Sequence, residues 1–338
     1  MKSRYIFFFL IVFNICDSLV ASAQSPAYLT AISEKAHHSS TINNSITFET
    51  PPNIDEGLSK AQQRKQLMTY LKEMESGEIS YNSSKIRRLY YMANLFTRLR
   101  LYPLAMKCFL KTIRPGVDSI GVDNLPITLG DDSLLAKQEV TTDNEDVKSK
   151  PISSEKIAET FHDGKTAIAY AMIFHVKQPV RGKRQIFKLA NTGHTFITLI
   201  KYNTDSTYAA ISFGFYPKKD NPLSATPIIP TTSSTFKDDS EHAWDEVLGK
   251  FISKRRFTKI LALTQQYHNI TYNLSKNNCT DFGLKAAALA GLDIWNTKGN
   301  WPLGSGNNPG VTGQSLLEGK FDNADTGDQQ NLLISNQN

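Results

Sequence analysis

YNLSKNNCTDFGLKAAALAG, running from Tyr272 to Gly291, carries a helix with both of its ends written into it. Asn278 is placed to cap the N-terminus, with Asp281 three residues on, an approximate capping box. Gly291 supplies the left-handed residue that commonly closes a helix. Between them lie Phe282, Gly283, Leu284, Ala286, Ala287, Ala288, Leu289 and Ala290, with Lys285 the only charge after the first turn. A helix this small and apolar is buried nearly all round and packs closely on a sheet. Its first residue is Cys279. There the free N–H groups and the positive end of the helix dipole favour thiolate over thiol, and the thiolate is the nucleophile. Helix-start N–H groups can also hold the oxyanion of a tetrahedral intermediate, with Asn278 as a substrate or oxyanion contact.

Working outward, Gly193 to Leu199 (GHTFITL) opens a strand with a histidine. Alternation puts His194, Phe196 and Thr198 on one face and Thr195, Ile197 and Leu199 on the other, which gives the imidazole the fixed direction a general base needs. His194 to Tyr202 and Thr207 to Phe215 read as a hairpin across Asn203 to Ser206, and Tyr170 to Val176 and Arg184 to Leu189 as further strands. Lys156 to Ile168 and Trp244 to Phe251 read as helices, Phe257 to Leu263 as a strand followed by a helix near Leu263 to Ile270, and residues 217 to 240 as a loop. Gly299 to Gly313 reads as an irregular loop that can rim a cleft, with Trp301 as an apolar wall.

A cysteine at a buried helix start together with a histidine at a strand start resembles the papain-like superfamily of cysteine hydrolases. His194 precedes Cys279, the reverse of the papain order and of the usual NlpC-type cell-wall peptidases. The order is similar to that of the circularly permuted branch, which includes the lecithin:retinol acyltransferase-like proteins, where a histidine also opens a strand and an Asn-Cys pair opens the later helix. The resemblance covers about residues 165 to 295. It implies an α+β fold, an antiparallel sheet packed on the cysteine-bearing helix, and a thiol hydrolase or acyltransferase working through a thioester. It also implies a third polar residue on the next strand to orient the imidazole. That strand offers Ser212, and the hairpin turn offers Asn203 and Asp205.

The N-terminus reads as an address. Lys2 and Arg4, the apolar run Tyr5 to Ile15 and Ala21-Ser22-Ala23 form a secretory signal peptide over residues 1–23, cut after Ala23 and too short for a stable span. Export places the protein in a periplasmic or extracellular space. The chain then divides into a polar lead-in (24–54), a helical region (55–115), a linker (116–155), the permuted papain-like domain (156–318) and a disordered polar tail (319–338). Within the helical region, Tyr91 to Leu110 resembles one tetratricopeptide-type hairpin, and no second copy follows at the period a solenoid needs.

The 338 residues are 40% hydrophobic and 21% charged, ordinary globular composition. The net charge of +6 lacks a dense Lys/Arg cluster, so nucleic acid is not an expected partner. Three cysteines exclude a disulfide scaffold and a four-cysteine zinc site, and no histidine spacing suits a metal, so neither metal nor organic cofactor is expected. Cys108 and Cys279 remain after cleavage, either as a disulfide or as one structural and one reactive thiol. The leading expectation is an exported cysteine amidase or peptidase acting on peptide, cell-wall peptide being the natural substrate. A lipid acyl hydrolase or acyltransferase is the second choice. The rival from another class is a non-catalytic adaptor that binds a protein partner through residues 55–115 and keeps a degenerate cleft.

Overall fold

The computed structural model describes residues 83–113, 149–188, 191–218 and 223–337, with a few single positions between 59 and 69. The signal peptide, the lead-in, most of the linker and the start of the helical region lie outside the described residues. The elements run α1 (Ser83–Arg98), α2 (Tyr102–Leu110), β1 (Lys150–Ile152), α3 (Ser154–Glu159), β2 (Ala167–Lys177), β3 (His194–Asn203), β4 (Tyr208–Pro217), β5 (Thr231–Thr232), β6 (Ser234–Asp238) and β7 (Glu246–Ile252). They continue with α4 (Lys254–Tyr267), β8 (Tyr272–Asn273), α5 (Cys279–Ala290), β9 (Leu292–Ile294), β10 (Lys298–Trp301), β11 (Gly304–Asn307), α6 (Pro309–Leu317), β12 (Phe321–Asn323) and β13 (Leu333–Asn336). Seven strands form one sheet in the order β1-β6-β4-β3-β2-β7-β13, with every neighbouring pair antiparallel. The protein is α+β.

The central strands are covered on both faces. Every residue of β3 is buried, and its side chains go alternately to two cores. Ile197 and Leu199 join the core beneath α4 and α5 with Phe174, Phe213, Leu248, Ile260 and Phe282. Phe196, Ile200 and Tyr202 join the core beneath α1 and α2 with Phe96, Met106, Phe109, Val247 and Phe251. The second core revises the view of residues 55–115 as a separate partner-docking hairpin. The described part of that region, α1 and α2, is one layer of the domain. Cys108 is buried in this layer, and no disulfide joins it to Cys279.

Several expected elements differ, for a common reason. Trp244 to Phe251 contains strand β7, not a helix, because its side chains serve both cores and it therefore lacks the alternation of a one-sided strand. Residues 257–263 are helical: Ser253 caps α4 by accepting from Arg256 N, and Phe257, Ile260, Leu263 and Tyr267 form its buried stripe. The described part of the expected strand at 184–189, residues 184–188, is a loop with one bridge between Lys188 and Asn191. Residues 299–313 form the β10–β11 hairpin and the start of α6.

The polar tail is ordered. Leu332 and Leu333 are buried, and β13 closes one edge of the sheet. Tyr90 of α1 covers that edge: its hydroxyl donates to Ile334 O (3.2 Å) and accepts from Ile334 N (3.1 Å). At the other edge β1, within the expected linker, pairs with β6. Among the described residues no helix is long and apolar enough to cross a membrane.

Candidate active site

Helix α5 begins as its sequence dictates. Asn278 Oδ1 accepts from Thr280 N (2.8 Å) and Asp281 N (3.0 Å), Asp281 Oδ2 accepts from Asn278 N (2.9 Å), and Gly291 closes the other end at φ +78°. Gly283 faces the sheet so closely that a Cβ there would lie 2.6 Å from Thr195 Cγ2 and 2.9 Å from the Phe174 ring. The helix is therefore clamped to β3 next to the histidine, and Thr195 Oγ1 and Thr280 Oγ1 meet at 3.2 Å.

This packing brings Cys279 and His194 together. Both are 6% exposed, and the two side chains lie close enough to interact electrostatically. The histidine Nε2 lies 3.1 Å from Asp239 Oδ2. Asp239 is completely buried, just past the end of β6. Its other oxygen accepts from the hydroxyls of Tyr216 (2.6 Å) and Ser149 (2.7 Å), and its backbone N–H donates to Ser212 O (2.9 Å). The imidazole is sandwiched by Tyr216 (ring centroids 4.2 Å apart), His242 (5.0 Å) and Phe196 (5.9 Å).

The side chain that meets the imidazole nitrogen is thus that of Asp239 and not that of Ser212. Strand β4 does place Ser212 on the imidazole's face, but opposite Thr198, where its hydroxyl meets Thr198 Oγ1 at 2.7 Å. His194 lies four residues further along the register, beside Tyr216. Asn203 and Asp205 sit at the far end of the same hairpin, Asn203 donating to Asp163 and Asp205 accepting from Thr207.

Burial by itself would push the His194 pKa down. The Asp239 carboxylate and Cys279 outweigh it and raise the pKa to about 9. Burial would likewise push the Cys279 thiol up, but its bonds to His194 and to Thr195 N–H hold it below the ordinary thiol value. Asp239 is held below the usual carboxylate range against its own burial, chiefly by His194. All three shifts run toward the charged forms: thiolate for Cys279, imidazolium for His194 and carboxylate for Asp239.

The helix start is occupied differently from the expectation. Asn278 spends its amide on Leu274 O and Asn307 O (both 2.8 Å) and its carbonyl on the cap, so its side chain is structural and not a substrate contact. The Thr280 and Asp281 N–H groups go to the cap and the Phe282 N–H to Asn278 O. Buried Tyr272 lies close to Cys279, and burial first and the neighbouring sulfur second push its phenol well above the ordinary range. Trp301 packs its indole over Gly304 in its own hairpin and is not among the groups bonded to Cys279 or His194.

Sequence reasoning missed Asp239, Tyr216 and Tyr272. The weak signal for Asp239 was a polar pair, Asp238-Asp239, ending the strand-forming run Ser234 to Lys237. Among the described residues no group of three His, Cys, Asp or Glu side chains could hold a metal ion. No protein-family model matches the chain, and no match is found among curated proteins or solved structures.

Proposed function

We propose that this protein is a cysteine hydrolase that opens an amide bond through a thioester, and that it acts as an exported amidase or peptidase on peptide such as that of the cell wall. The single observation that carries the reading is buried Cys279 at a helix start, close to a histidine whose Nε2 meets buried Asp239 at 3.1 Å. In the reaction the Cys279 thiolate attacks the acyl carbon, forming the C–S bond and moving the carbonyl pair onto oxygen. The Tyr272 hydroxyl beside the sulfur donates to that oxyanion. The imidazolium of His194 gives its proton to the leaving nitrogen as the C–N bond breaks. Water then attacks the thioester, His194 takes its proton, and the acid leaves as the C–S bond breaks. Asp239 holds the ring orientation throughout and compensates the imidazolium charge.

The same acyl-enzyme serves an ester or lipid acyl donor, and transfer to an acceptor other than water turns the hydrolase into an acyltransferase. The adaptor reading loses its main surface, because Met92, Ala93, Phe96, Leu104 and Phe109 face the protein's own sheet.

The test is alkylation by iodoacetamide as a function of pH, with peptide mapping, on the wild type and His194→Ala. Cys279 should label rapidly at about pH 6, where an ordinary thiol is protonated, and His194→Ala should slow that labelling by about ten-fold or more. Slow labelling of Cys279, or labelling indifferent to His194, sinks the hydrolase reading.

A further inference from the structure

The β10–β11 hairpin turns through Pro302 and Leu303, between the paired residues Trp301 and Gly304. Leu303 has φ +70° and is 85% exposed. Proline followed by a residue of positive φ is the pattern of a type II turn, which calls for glycine or asparagine at the second place. A leucine there bears backbone strain and gains no burial in return. Its side chain therefore has no role in holding the fold.

The base of this hairpin is fastened to the loop that leads into Cys279. Asn307 accepts from Asn278 Nδ2 (2.8 Å) and donates to Asp281 Oδ1 (2.7 Å). Gly306 lies directly on the Ser275 backbone, where a Cβ would be 2.7 Å from Ser275 O. A second loop is fastened to the other side of the same segment. Leu274 N donates to Pro230 O (2.9 Å), and Thr231 and Thr232 pair with Asn273 and Tyr272. That loop presents Ile228, 55% exposed. Two apolar tips thus flank the segment that leads into Cys279. The three stretches that build this rim, 223–236, 271–278 and 295–308, contain Lys276 and Lys298, both exposed, and no carboxylate.

We propose that this rim docks the protein on an anionic lipid surface, Leu303 and Ile228 entering the headgroup–acyl boundary while Lys276 and Lys298 meet the headgroups. Two isolated apolar tips are far less than the roughly 800 Å² per partner that a stable protein interface buries, whereas a bilayer accepts apolar side chains singly and adds electrostatic attraction. A convex tip also cannot enclose a peptide. A second copy docking by the same surface would bring like-charged lysines together.

The inference does not depend on the chemistry assigned to Cys279, and the test keeps the two apart. The chain from Gln24 onward is sedimented with phosphatidylglycerol–phosphatidylcholine vesicles and with pure phosphatidylcholine vesicles. Wild type should pellet with the anionic vesicles, less so at high salt, and Cys279→Ala should pellet equally. Leu303→Gly should weaken binding by about ten-fold or more, while its melting temperature holds or rises because glycine accepts the left-handed backbone. Ile228→Ser and the pair Lys276→Glu/Lys298→Glu should also weaken binding. The proposal is overturned if wild type does not pellet, if Leu303→Gly binds as well as wild type, or if Leu303→Gly lowers the melting temperature, which would make the leucine a packing residue. Self-association in solution that Leu303→Gly abolishes would overturn it in favour of a second copy.

Discussion

His194 Nε2 sits 3.1 Å from Asp239 Oδ2, joining two residues 45 positions apart at the same end of the sheet. Asp239→Asn removes the charge that stabilises the imidazolium while keeping the shape. Its turnover of an amide or ester substrate should fall by about 10²–10⁴-fold, and the pH at which Cys279 becomes reactive to iodoacetamide should move upward. Ser212→Ala should stay within about two-fold of wild type in both measurements, since the serine hydroxyl serves Thr198 and only its backbone carbonyl reaches Asp239.

The proposed mechanism predicts a two-sided pH profile. Activity should appear as Cys279 ionises, below the ordinary thiol range, and should decline again as His194 loses its proton near pH 9. A steady rise in rate through pH 9 and beyond would show that the neutral imidazole is the working form. Steady-state kcat/KM across pH measures this directly.

Gly214 is the space the relay occupies. A Cβ there would overlap His194 Nε2 and come within 2.5 Å of Asp239 Oδ2. Gly214→Ala should therefore separate the pair and abolish rapid Cys279 labelling, at a stability cost of about 1–3 kcal/mol from overpacking. Labelling and a urea titration on the same sample separate the two effects.

Phe96 tests whether the helical pair is part of the domain. It is fully buried in the core shared by α1, α2, β2, β3 and β7. Phe96→Ala should cost about 3–5 kcal/mol in global unfolding, seen as one cooperative transition at lower denaturant. A separate early transition, with the sheet still folded, would mark the helices as an appendage.

Glu246 should weaken the fold as pH rises. It is buried, and burial first and the adjacent Asp245 second raise its pKa to about 9, partly opposed by Arg181. The folded form therefore keeps a proton that the unfolded form gives up above 4.5. The sign is a loss of stability with rising pH between those values, by at most about 1.4 kcal/mol per pH unit from this group. Glu246→Gln should be the more stable protein at about pH 8 and should lose most of that advantage near pH 5 in urea titrations.

What the sequence determined by itself was local. The cap at Asn278, the glycine stop at 291, the apolar faces of α5 and the alternation of β3 depend on neighbours within one or two turns, and such short-range rules placed both Cys279 and His194 at element starts. The same rules misread β7 and α4 because a strand buried on both faces and a short apolar helix leave the same composition, and only the two cores distinguish them. The tail looked disordered because Leu332 and Leu333 are few among polar residues, yet the open edge of β7 pairs them in. Asp239 was out of reach for the same reason. A carboxylate acquires its role from the partners that surround it, and His194, Tyr216 with the Ser212 carbonyl, and Ser149 come from three separate segments. Only the tertiary fold brings those segments to one place and holds a buried carboxylate among them, where its desolvation is compensated by hydrogen bonds.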